Sequence, residues 1–210
     1  MRALADPESK LFSLLNKMTL LMELNIWVIL CCLPVVTVGA ALSSMHTVLL
    51  KIYRGEEKRV TADFFRAMKS NLKNGTLLWL LFLGYLSALL GLWLWTAYLA
   101  PAVVRFVGYG LALAALAGLL WLDWALILQS RYVYGVMQCL QNALLAWLKY
   151  PGSTLVYLVS LVLPTFFCFS LQLLPLLLLL AVALFHMIST TLYSRVFDEM
   201  EGVPPRVHKL

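Results

Sequence analysis

The run Met18–Leu50, MTLLMELNIWVILCCLPVVTVGAALSSMHTVLL, decides the fold: in 33 residues it carries one acidic side chain, Glu23, and one histidine, His46. A membrane-spanning helix needs about 20 mainly apolar residues. The run is therefore too long for one ordinary span and short for two. Its middle, Leu33-Pro34-Val35-Val36-Thr37-Val38-Gly39, suggests how it divides, because Pro ends or kinks a helix and Gly permits a turn. With a first helix over about 8–33 and a second over about 38–54, the helix break at Pro34 and Gly39 makes a hairpin. Whether that break turns inside the membrane or at its outer surface stays open.

Outward from this hairpin the apolar stretches are Thr76–Ala100, Val103–Leu128, Thr154–Gln172 and Leu173–Leu192. Pro101 divides the first pair; Gln172 and Pro175 divide the second. The expected architecture is all-α: a polytopic membrane protein of six transmembrane helices in three hairpins, about 8–54, 74–130 and 150–195. Amphipathic linkers over about 55–73 and 131–149 join them within a single membrane domain, residues 1–210. Leu72-Lys73-Asn74-Gly75-Thr76-Leu77 and Leu148-Lys149-Tyr150-Pro151-Gly152-Ser153-Thr154-Leu155 resemble each other weakly. Duplication and convergence of hairpins explain that likeness equally well.

Composition agrees with the bilayer as solvent. The chain is 62% hydrophobic and 12% charged, with a mean hydropathy of +0.88. Soluble domains run at about 45–50% apolar and about 25% charged. The net charge of +6 does not point to nucleic acid, because the basic residues lie in short polar stretches between apolar runs. The four cysteines, Cys31, Cys32, Cys139 and Cys168, show no metal-ligand spacing, so neither disulfide, metal site nor cofactor is expected. Asp6 and Glu8 in the opening segment, and the length of the first apolar run, argue against a cleaved signal peptide.

Charge also orients the chain. With six spans, Arg2, Lys10 and Lys17 share one side with Lys51, Arg54, Lys58, Arg59, Arg66, Lys69 and Lys73. Arg131, Lys149, Arg195, Arg206 and Lys209 join them, leaving only Arg105 opposite. Five spans would put the first three on the wrong side of the positive-inside rule. Both termini are expected in the cytoplasm, with the chain in a bacterial plasma membrane.

In the linker Thr61–Lys73, Phe64, Phe65, Met68 and Leu72 are spaced along one helical face beside Arg66, Lys69 and Lys73, with Thr61 as N-cap. This predicts an interfacial amphipathic helix, its cations near anionic headgroups. A docking surface for a cytoplasmic partner is the other reading. A second such segment runs from Val136 to Lys149, with Leu140, Leu144 and Trp147 on one side.

The segment Leu33-Pro34-Val35-Val36-Thr37-Val38-Gly39-Ala40, with Arg54-Gly55-Glu56-Glu57, Asp63-Phe64-Phe65-Arg66 and the tail Tyr193-Ser194-Arg195-Val196-Phe197, resembles the YesL family. The resemblance implies a small bacterial polytopic membrane protein, of a family whose members often occur beside carbohydrate uptake systems of the ABC type. It implies no catalytic or binding residues.

Ionisable residues at membrane depth are costly and are functional candidates. Four form the candidate intramembrane polar site: Glu23, His46, Asp123 and His186. The last three lie eight or nine residues before Arg54, Arg131 and Arg195, about 12–14 Å along a helix. All four then fall at comparable depth in the cytoplasmic half. They read either as a polar pocket open to the cytoplasm, with Asp123 paired to one histidine, or as separate interhelical hydrogen bonds. Gly84, Gly91 and Gly108-Tyr109-Gly110 suggest close helix packing. There is no GxSxG, HExxH or nucleotide fingerprint, and no catalytic residue is assigned.

The functional expectation is an accessory or regulatory membrane protein of a carbohydrate transport system, with lipid and a permease subunit as partners. The alternative is a small secondary transporter or channel. Oligomeric state is left open.

Overall fold

The computed structural model describes residues 10–56, 59–99, 104–132, 134–156, 158–159 and 182–201. They form helices α1 (Lys10–Cys32), α2 (Val38–Arg54), α3 (Val60–Leu99), α4 (Val104–Arg131), α5 (Val136–Lys149) and α6 (Val182–Met200), with a 3-10 turn at Val35–Thr37. Four described segments are long and apolar enough to cross a membrane: Leu15–Cys32, Val35–Arg54, Val60–Thr96 and Phe106–Arg131. The turn expected near Gln172 and Pro175, and most of the third hairpin, lie outside the described residues.

The α1–α2 break is short and local. Pro34 carries an extended backbone, the Thr37 amide donates to the Pro34 carbonyl at 3.0 Å, and the Thr37 hydroxyl donates to the Cys31 carbonyl at 2.6 Å. Proline frees a carbonyl and the threonine recaptures one, so the chain reverses without stranding backbone groups. Leu33, Val35 and Val36 at the tip are exposed, an apolar turn suited to contact with lipid.

The second helix is the centre of the molecule, packed against α1, α3, α4 and α6. Its buried face alternates small and large residues, from Gly39, Ala40, Ala41, Ser43 and Ser44 to Met45, Val48, Leu49 and Ile52. At its start it crosses α3 backbone to backbone. A methyl group on Gly75 would lie 2.9 Å from the Ala40 Cα, and one on Gly39 would clash with the Gly75 carbonyl. At its end Gly55 takes a left-handed conformation (φ 66°); its amide returns to the Ile52 carbonyl and the Glu56 amide to the Lys51 carbonyl, closing the helix as a Schellman motif.

The segment expected to lie apart as an interfacial helix, Thr61–Lys73, is instead the opening of α3, which continues without interruption to Leu99. Its buried stripe is Val60, Phe64, Ala67, Asn71, Gly75, Leu78 and Phe82, at helical spacing across both expected segments. Phe65 and Leu72 are exposed, as are Arg66, Lys69 and Lys73, while Met68 is half-buried. Asn74-Gly75 looked like a boundary because glycine weakens a helix. The close approach of Ala40 accounts for that glycine instead.

Of the glycines expected at close helix contacts, Gly108 lies against the Trp93 indole, 3.5 Å from where a methyl group would sit, whereas Gly84, Gly91 and Gly110 have open space there; Gly118 lies under the Tyr85 ring. The fourth helix is pinned to α2 by Ser43 and Thr47, whose hydroxyls donate to the Leu126 and Ser130 carbonyls, each at 3.2 Å. The fifth helix rests on α4 through the Trp121 indole, which donates to the Leu140 carbonyl at 2.9 Å. Cys139, Ala143 and Ala146 face that contact, and Leu144 points outward.

Candidate functional site

One end of the bundle gathers the charges. Lys51 at the end of α2 pairs with Asp63 at the start of α3 (2.7 Å), and Arg66 approaches the same carboxylate at 3.7 Å. Arg54 pairs with Asp198 of α6 at 3.4 Å, both side chains being less than one-tenth exposed. Arg131, ending α4, donates from two guanidinium nitrogens to the two Glu201 oxygens, each at 3.1 Å, and the Tyr132 hydroxyl adds a third bond at 3.0 Å. These donors hold the Glu201 carboxyl below its usual range, the Arg131 hydrogen bond contributing most. Burial, reinforced by the Glu201 contact, pushes Tyr132 up to about 12.

Two turns of helix inward from this end, three ionisable side chains from three helices meet. His46 projects from α2, Asp123 from α4 and His186 from α6, with 2%, 7% and 9% of their surface exposed. One ligand-type atom from each lies within 4.8 Å of the other two. The two imidazole rings stand edge to face with centroids 5.0 Å apart. Nε2 of His46 faces Oδ1 of Asp123 at 3.6 Å, beyond hydrogen-bond length, and among the described residues it is buried with no hydrogen-bond partner. The other carboxylate oxygen, Oδ2, accepts from the Tyr193 hydroxyl at 3.1 Å. Tyr193 was read in the sequence only as part of the tail segment and not as a site residue, although its place seven residues after His186, two helical turns, was a usable signal.

The bundle delivers these groups because α2 is fixed on both sides of His46. Ser43 and Thr47 hold it to α4, and the buried Arg54–Asp198 pair holds it to α6. On α6 the Thr190 hydroxyl donates to the His186 carbonyl at 2.7 Å. Two nitrogen donors and a carboxylate oxygen in a closed space can carry a proton between them or hold a cation.

Glu23 is elsewhere. Its carboxylate accepts from the Thr61 amide at 3.2 Å and from the Thr61 hydroxyl, which also accepts from the Trp27 indole at 3.0 Å. Thr61 was expected to cap its own helix. Instead α1 supplies the cap, an anion at the positive end of the α3 dipole. The Glu23 contact is thus an interhelical bond of the structural kind, away from the histidines. Phe65 meets the Trp27 ring edge to face at 5.0 Å beside it.

Among known proteins, residues 21–93 match the family model described as a protein of unknown function, DUF624. The matched part includes Glu23 and His46 and stops before Asp123 and His186. No curated protein and no solved structure matches the chain.

Proposed function

We propose that the protein is an accessory or regulatory subunit of a bacterial carbohydrate uptake system of the ABC type. It is set in the plasma membrane as six spans with both termini in the cytoplasm. The observation that carries this reading is the burial of the polar cluster, His46, Asp123 and His186 each being less than one-tenth exposed. In this reading sugar passage is the work of a partner. The sequence resemblance to the YesL family supplies the carbohydrate context.

Two further features support the placement. The cationic ends Lys51, Arg54, Arg66 and Arg131 gather at one pole, as the positive-inside rule asks of a cytoplasmic face. On the opposite half of α3, Leu90, Leu92, Trp93, Leu94 and Trp95 are exposed, an apolar surface for lipid or a permease. The experiment is affinity purification from the native host in gentle detergent, with quantitative mass spectrometry. Near-stoichiometric recovery of a permease is expected. Recovery of this chain alone, or only with its own copies, overturns the reading.

A second reading, a small secondary transporter of protons or cations, is favoured by the convergence of His46, Asp123 and His186. Purified protein in liposomes then moves its ion unaided, and Asp123→Asn abolishes the flux. Liposomes that stay tight under a proton or cation gradient remove this reading.

A further inference from the structure

We infer that His46, Asp123 and His186 bind one divalent transition-metal ion, Zn2+ in first place, inside the helical bundle. The distances are those of a coordination shell slightly relaxed. Zinc holds imidazole nitrogen at about 2.0–2.1 Å and carboxylate oxygen at about 2.0–2.2 Å, so two ligand atoms in its tetrahedral shell stand roughly 3.3–3.6 Å apart. The three candidate ligand atoms all lie within 4.8 Å of one another, and His46 Nε2 and Asp123 Oδ1, at 3.6 Å, already fit.

The 3.6 Å separation is within reach of an ion pair but too long for a hydrogen bond, and among the described residues it leaves Nε2 of His46 buried without a hydrogen-bond partner. A buried polar atom without a partner is costly, and a carboxylate in the membrane interior more so. A cation between the two satisfies both at once, taking the nitrogen lone pair and the carboxylate charge.

The donor set selects the kind of ion. Two imidazoles and one carboxylate suit Zn2+ and its first-row neighbours Mn2+, Fe2+, Co2+ and Ni2+. Mg2+ and Ca2+ prefer shells made of oxygen. The surroundings are those that orient metal ligands. The Tyr193 hydroxyl occupies Oδ2 of Asp123 and so turns Oδ1 toward His46. Ser43 and Thr47, on either side of His46, lock its helix to the helix of Asp123. Three protein ligands leave at least one coordination position for a further group, the pattern of reactive rather than purely structural zinc. The site stands whether or not the protein assembles with a permease.

The test uses the full chain, purified in detergent with a tag free of histidine, and needs no partner. After chelation, Zn2+ at about a hundredfold above its Kd should raise the melting temperature by roughly 5–10 °C. Elemental analysis of the reloaded protein should find one metal per chain, and His46→Gln and Asp123→Asn should each abolish both effects. Because such variants can fail to fold, the wild-type protein is also read by X-ray absorption at the zinc edge. Nitrogen and oxygen neighbours with imidazole scattering are expected. A wild-type chain that neither retains nor is stabilised by Zn2+, Mn2+, Co2+ or Ni2+ overturns the inference. So does sulfur ligation, or full binding by a folded His46→Gln/His186→Gln double variant.

Discussion

Helices α2 and α3 lie side by side and could hardly be more different. In α3, the more apolar of the two, 11% of the membrane-spanning window is buried, whereas in α2 the figure is 61%. The central helix is the one with two serines, a threonine and a histidine, Ser43, Ser44, Thr47 and His46. Hydropathy records how well a helix dissolves in lipid, and lipid is as apolar as leucine, so it does not pull helices together. Small residues that admit a neighbouring backbone, and polar groups that bond across to it, do that work. Of these two neighbours, the less lipophilic one lies in the middle.

The sharpest way to break this contrast is at the polar anchors of α2. Asp198→Asn strips the buried Arg54 guanidinium of its counter-ion. It should cost about 3–5 kcal/mol, measured by reversible unfolding in mixed micelles. A loss below about 1 kcal/mol would mean that the pair is wetter than its burial implies. Next comes the crossing. Gly39→Val, pressed on the Gly75 carbonyl, should cost about 2–3 kcal/mol, while Gly91→Val in the open part of α3 stays within about 0.5 kcal/mol. Equal effects would dissolve the distinction between the helices. Leu49→Ala, fully buried, should lose about 2 kcal/mol, against near neutrality for Leu90→Ala, which is 56% exposed.

The smallest effect concerns the charged end and sharpens where the protein meets water. The Glu201 carboxyl titrates below its ordinary value of 4.5 in the folded protein. A group depressed in this way stabilises above the unfolded pKa and stops doing so as pH falls through the folded one. Glu201→Gln should therefore be less stable than wild type at pH 7 by less than about 1 kcal/mol, since the pair is partly exposed. The gap should close as pH falls below 4.5 and through the lower value of the folded state. Thermal-shift curves of both proteins across that window decide it; a gap that persists at low pH would assign the effect to packing.

Much of this was legible in residue spacing. Pro34 and Gly39 marked the first reversal, and counting back from Arg54, Arg131 and Arg195 put three ionisable residues at one depth. Depth is what a sequence along a helix records. Direction around the axis depends on which neighbours a helix acquires, and for this reason Glu23 was grouped with the histidines although it faces the start of α3. The same blindness joined Phe64 and Phe65 on one expected face, where the structure buries the first and exposes the second. It also read Gly75 as the end of a segment, when its missing side chain is a space for Ala40.

The central place of α2 has a consequence for how the chain is made. His46 leaves the ribosome 77 residues ahead of Asp123 and 140 ahead of His186. At about 5–20 residues per second, the helix that ends in the middle waits roughly 7–28 s for its last neighbour. Until α4 and α6 arrive, Ser43 and His46 have to be sheltered by something other than their final partners, the insertion machinery or a membrane chaperone. The contacts of the central helix are thus complete only when α6 arrives, and slowing translation beyond Arg54 should lengthen its exposure to membrane quality control.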